Sequence, residues 1–185
     1  MDYNYKVEHC QNGGGDLLVK SMQDYLRIHK KSIDNPEEFW LEIAHQFHWY
    51  KKPTKDNCLN YNFDVDKGKI FIEWFKDGTT NMCYNCIDVH LDNGLGDETA
   101  FIWEGNEPGQ SKVISYKNLH ERVNLFAKLL LDNGVKKGTH VIIYLPMIPE
   151  LAVAMLACTR IGAVHGVVFA GFSSVSLSER IIDFE

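Results

Sequence analysis

Cys83, Cys86 and His90 are metal-binding residue types at metal-binding spacing, C-x2-C-x3-H. On an α-helix they would share one face at i, i+3 and i+7. A structural zinc site needs four ligands, and the fourth here would have to be a lone Cys or His far away in sequence. The pattern therefore reads as helix-face thiols that behave as small hydrophobes, with no metal. Gly13-Gly14-Gly15 lacks the Lys-Ser/Thr of a phosphate loop and follows no strand. Gly94-Leu95-Gly96 lacks the third glycine of a dinucleotide fingerprint and precedes a strand. There is no G-x-S-x-G elbow and no H-E-x-x-H pair, and no catalytic residue stands out. Phe169-Ala170-Gly171-Phe172-Ser173 is different. It closes an apolar strand and opens a helix, the edge at which open α/β sheets take their ligands. Small residues let a ligand approach the backbone, and a helix N-terminus favours an anion. The same residues also suit a tight strand-to-helix turn that needs no ligand, and local features leave both readings open.

The elements that must position this turn follow from periodicity. HVIIYL (140–145) and AVHGVVF (163–169) are nearly continuous in apolar residues, as strands buried on both faces are. Between them Pro149 starts a helix, 149–161, that is apolar nearly all round and so belongs between layers. A right-handed parallel βαβ crossover is the default connection. Ser173 or Ser174 caps the next helix. Upstream, Leu119, Val123, Phe126 and Leu130 make one stripe of a helix over 116–132, capped by Ser115 and ended at Gly134. TAFIWEG and KVISY form a hairpin before it.

The first half is less regular. Residues 1–20 read as a flexible leader. Residues 21–30 suit a helix with Met22, Tyr25, Leu26 and His29 on one side. Asn35, Pro36 and Glu38 suggest a capping-box start to a second helix, with Phe39, Trp40, Ile43 and Phe47 as its stripe. Residues 54–68 read as loop, KIFIEWF (69–75) as a strand, 81–91 as a short helix and 92–98 as a linker.

Composition narrows the function. A net charge of −6 with no long Lys/Arg block excludes a nucleic-acid partner. The apolar stretch 141–172 is broken by Pro146, Pro149, Glu150, Arg160 and His165, which excludes a membrane span. An acid-bearing N-terminus without an apolar core is no secretory signal, and five cysteines make no even disulfide framework. A reducing, cytoplasmic setting follows.

Four segments, SIDNPEEFW, WFKDGTTNMCYNCIDVHL, AFIWEGNEPG and YLPMIPELAVAMLACTRIGAVHGVVFAGFS, resemble in that order the N-terminal part of AMP-forming acetyl-CoA synthetases, of the acyl-adenylate-forming superfamily. The resemblance runs from about residue 21 to 183. It implies an α/β fold in three parts: the leader 1–20, a mostly helical lobe 21–98, and over 99–185 the hairpin and first parallel βαβ unit of an incomplete AMP-binding domain. It implies acetate–CoA ligation through acetyl-adenylate, with ATP, magnesium and CoA used by the family and no cofactor held by these residues. It places the adenine end of CoA against Phe169, Ala170 and Gly171. Ala170 stands where the family has glycine, and Val89 where it has arginine. The family's phosphate loop, acetate pocket and catalytic lysine map onto none of these residues, so the chain alone is expected to be inactive and, with its sheet edge exposed, poorly soluble or self-associating. A non-catalytic CoA-binding or partner-binding module and a propionate–CoA ligase are the alternatives.

Overall fold

The computed structural model describes residue 19 and residues 21–184. The leader expectation, with Gly13–Gly15, lies outside the described residues apart from residue 19. Helices and small sheets alternate in an α/β arrangement of three two-stranded sheets.

Helix α1 (Met22–Asp34) starts at Ser21, whose hydroxyl accepts from the Asp24 amide. It buries none of its residues, so Met22, Tyr25 and Leu26 form an exposed stripe. Helix α2 (Pro36–Ala44) follows after one residue, Asn35. Pro36 occupies the first turn as expected, but Asn35 makes no side-chain cap bond. The reason is that Asn35 also ends α1, its amide donating to Lys31 O, and its backbone serves both helices at once.

The loop expected at 54–68 contains a strand. β1 (Leu59–Asn62) pairs antiparallel with β2 (Phe71–Trp74), Leu59 opposite Trp74 and Asn62 opposite Phe71. The expected helix at 81–91 forms over 82–92, with a π-helical stretch, Tyr84–Asp88, inside it that runs into the short helix α3 (Val89–Asp92).

From 99 onward the agreement is close. β3 (Thr99–Glu104) and β4 (Ser111–Ser115) form the hairpin. Helix α4 (Tyr116–Asp132) is capped by Ser115, and Gly134 ends it at φ 84° with the Gly134 and Val135 amides returned to Leu131 O and Leu130 O, a Schellman motif. β5 (His140–Leu145) and β6 (Val164–Phe169) pair in parallel across α5 (Pro149–Ile161). Helix α6 (Ser174–Asp183) is capped by Ser173, which accepts from the Ser176 amide.

α5 is the centre of the core. On one side Val153 and Ala157 join Cys83, Ile87, Ile114, Leu119, Val123 and Ala127. On the other Leu151, Ala154 and Cys158 join Ile143 and Ala163. Phe126, Leu130 and Ile161 touch both clusters. A helix with both sides in apolar contact needs the all-round apolar surface its sequence carries. Fully burying a side chain of the size of Ile87 contributes about 2 kcal/mol.

Candidate functional site

The two ends of the βαβ unit are built differently. At the C-terminal end of the strands lies the Phe169–Ser173 turn. The Phe172 amide donates to Phe169 O at 3.0 Å, closing the chain back before α6. Phe169 is 61% exposed, which leaves most of its ring open to solvent. The ring lies back over Gly171: a Cβ built there would stand 2.5 Å from its Cε1 and 3.1 Å from its Cδ1. Gly171 thus makes room for the ring in this pose. Phe172 meets Phe169 edge-on at 5.8 Å between centroids. The Arg180 guanidinium, one turn before the end of α6, sits 4.4 Å over the Phe172 ring. Ala170, half-buried, has no positive φ, so its methyl costs the backbone nothing in this conformation.

From β5 the Tyr144 hydroxyl reaches the same turn. It lies 2.8 Å from Ala170 O and 2.7 Å from Phe172 O. It carries one proton, which it donates to one carbonyl at a time.

The opposite end is fastened to the lobe. α5 ends at Gly162, left-handed at φ 73°, with the Gly162 and Ala163 amides returned to Thr159 O and Cys158 O. The Asn81 side chain donates to Thr159 O and Arg160 O, both at 3.1 Å, filling acceptors that a helix end leaves open. The same Asn81 accepts from the Tyr84 amide at 3.1 Å. Arg160 pairs with Asp88 through two bonds, at 3.1 and 2.8 Å, with both side chains mostly buried. Burial, the largest single influence, pulls the Arg160 pKa down, but the Asp88 hydrogen bonds together with the charges of Cys83 and Asp88 outweigh it and raise it. His120 Nε2 approaches the same carboxylate at 3.4 Å. Asp88 therefore has its cation although Val89 stands beside it. Asn85 clamps the backbone on the lobe side, accepting from His48 N–H at 2.8 Å and donating to His48 O at 3.0 Å.

The cysteine pattern falls apart at the π turn. A π turn is wider than an α turn, so residues three apart no longer align. Cys83 is fully buried beside Arg160, its thiol pushed up to about 11 by burial against the opposing pull of Arg160. Cys86 is exposed, and the His90 ring lies tilted against Tyr116, 4.4 Å between centroids. No group of three or more potential metal ligands occurs among the described residues. No described helix is long and apolar enough to cross a membrane.

The hairpin, α4 and the parallel βαβ unit lie within residues 91–185, which match the family model "AMP-binding enzyme". The chain belongs to the AMP-binding enzyme family. Its earlier part, residues 25–86, matches the model "Acetyl-coenzyme A synthetase N-terminus". It is 56% identical over 169 residues to the chloroplastic/glyoxysomal acetyl-coenzyme A synthetase of Arabidopsis thaliana, a span of 91% of this chain and 23% of that protein. It is 50% identical over 169 residues to the acetyl-coenzyme A synthetase of Drosophila melanogaster, covering 91% of this chain and 25% of that one. The corresponding protein of Leptospira biflexa is 52% identical over 167 residues, 90% of this chain and 25% of the relative. The chain thus spans about a quarter of the length of the curated relatives it matches.

Proposed function

We propose that these residues form the N-terminal part of an acetate–CoA ligase, which joins acetate and CoA at the expense of ATP through acetyl-adenylate, and that the Phe169–Ala170–Gly171 turn receives the adenine end of CoA. The observation that carries the second half is the Phe169 ring, laid over Gly171 on one side and open on the other. A flat apolar face of this kind stacks on a purine. The start of α6 and the Arg180 guanidinium nearby favour the phosphates of such a ligand. Acetate as the acid rests on the names of the relatives, since nothing in these residues distinguishes it from propionate.

The ligase chemistry also needs a clamp on the ATP phosphates and magnesium, and residues 1–185 contain no Ser/Thr/Gly-rich phosphate loop. We propose that the 185-residue chain by itself neither adenylates acetate nor binds magnesium-ATP productively. Pyrophosphate release from ATP and acetate above a heat-killed control overturns that. Binding is tested by calorimetric titration with CoA. Phe169→Ala is expected to weaken CoA about ten- to a hundredfold; unchanged affinity removes the turn from the site. A cytosolic, reducing setting fits the odd cysteine count. The outer edges of β5 and β6 pair with no other strand among the described residues, which favours self-association through a sheet edge. Sedimentation of a dilute sample as a monomer counts against it.

A further inference from the structure

We infer that the Tyr144 hydroxyl is a positioning group that holds the Phe169–Phe172 turn in the shape an incoming purine needs; this rests on the reading of that turn as the adenine-docking site. Tyr144 stands on β5 in register with Val168, the residue before the strand β6 reaches Phe169. Beyond Phe169 no strand pairing holds the backbone. There the hydroxyl meets Ala170 O and Phe172 O, the carbonyls on either side of Gly171. Three consequences follow in sequence. Donating to either carbonyl, one at a time, restrains the Ala170–Gly171 and Phe172–Ser173 peptides on the two sides of the turn. Holding Phe172 O also fixes the residue whose ring meets Phe169 edge-on and carries Arg180 on its face. The Phe169 ring, resting over Gly171 and against Phe172, is then presented in one pose instead of several. A ligand that stacks on it need not order the turn as it binds.

The chemistry allows a clean test, because Tyr144→Phe keeps the ring and removes only the donor. Amide hydrogen exchange and CoA titration are measured on the whole 185-residue chain and on the variant. We expect the Phe172 amide, which closes the turn onto Phe169 O, to exchange about three to ten times faster, and CoA to bind about three to ten times more weakly. The amides of Ile143 and Val168 in the strand ladder are expected to keep their rates. Unchanged exchange at Phe172, or no protection there in the parent chain, overturns the inference. So does equal acceleration of Ile143, Val168 and Phe172, which is general loosening and not positioning. Faster exchange at Phe172 in a chain that shows no CoA binding supports the hold on the turn while overturning the docking reading. Faster exchange with undiminished CoA affinity overturns the inference, because the pose of the turn then does not matter to the ligand.

Discussion

One end of the βαβ unit is locked by a buried side-chain network, and the other is held by one backbone turn bond and a single side-chain hydroxyl. At the α5 C-terminus two helix carbonyls, a carboxylate, a guanidinium and an amide side chain from two distant stretches of chain bond one another with little solvent, leaving Arg160 Nε of the guanidinium buried without a partner. At the β6 end an exposed aromatic ring rests on a glycine, and Tyr144 is the one side chain of β5 bonded to the turn. The difference separates two tasks. The lock sets where the sheet lies relative to the lobe, and the mouth leaves aromatic surface open to solvent, where we propose that CoA docks. Ligand sites are drawn from the less stable part of a fold, and a rigid far end allows that without cost to the whole.

The comparison is broken most strongly at the lock. Arg160→Ala leaves Asp88 mostly buried without its cation and is expected to cost about 3 kcal/mol, read as a lower urea midpoint. Arg122 and Glu150, paired at 2.6 Å on the surface, serve as the contrast, since Arg122→Ala should cost about 0.5 kcal/mol. Asn81→Ala removes a helix cap and the donor to two α5 carbonyls together, for about 1–2 kcal/mol in the same measurement. At the mouth the effects turn from stability to binding. Gly171→Ala must push the Phe169 ring aside, which an exposed side chain can do cheaply. The melting temperature should stay within about one degree while CoA affinity falls about tenfold, a change of about 1.4 kcal/mol. A melting temperature lowered as far as in Asn81→Ala would mean the two ends are equally structural.

The last effect depends on pH and lies at Cys83. Its folded thiol is raised to about 11 from an ordinary value near 9, chiefly by burial. The neutral thiol is therefore the form the fold prefers. Its contribution is complete below about pH 9 and is lost as pH climbs through about 11. Cys83→Ala should flatten the alkaline limb of a stability–pH curve, on top of a pH-independent loss of about 1 kcal/mol for the buried sulfur it removes.

How much of this was legible from residue types differs along the chain for physical reasons. β5 and α5 appear with the bounds their patterns predict, because an apolar strand and a helix apolar all round each leave a pattern little else produces, although burial of β5 and β6 on both faces is not met: only Ile143 and Val168 of the two strands are buried. β1 escaped notice since LNYN is polar and half exposed, and becomes a strand only by pairing with β2. The capping box at Asn35 failed because the motif was read for one helix where one residue serves two. The π turn has no local signature, and it undid the shared face of Cys83, Cys86 and His90. Phe169, Ala170 and Gly171 carry a local signal, an aromatic beside small residues, whereas Tyr144 carries only that of a hydroxyl near the end of an apolar strand, whose partner in the turn no local pattern names. Arg160 carried a signal too: a lone cation in an apolar helix calls for a carboxylate, and Asp88 is that carboxylate.

The lock also has a consequence for how the molecule comes into being. Asp88 and Arg160 stand 72 positions apart, and Asn81 and Arg160 stand 79 apart. Contacts over such separations form only after long loops have closed, so they belong to the late side of the folding barrier. Loss of Arg160 should then hasten unfolding much more than it slows refolding. On the ribosome the asymmetry is sharper still: the lobe is made first, yet its bonding face waits uncovered until some seventy further residues have emerged.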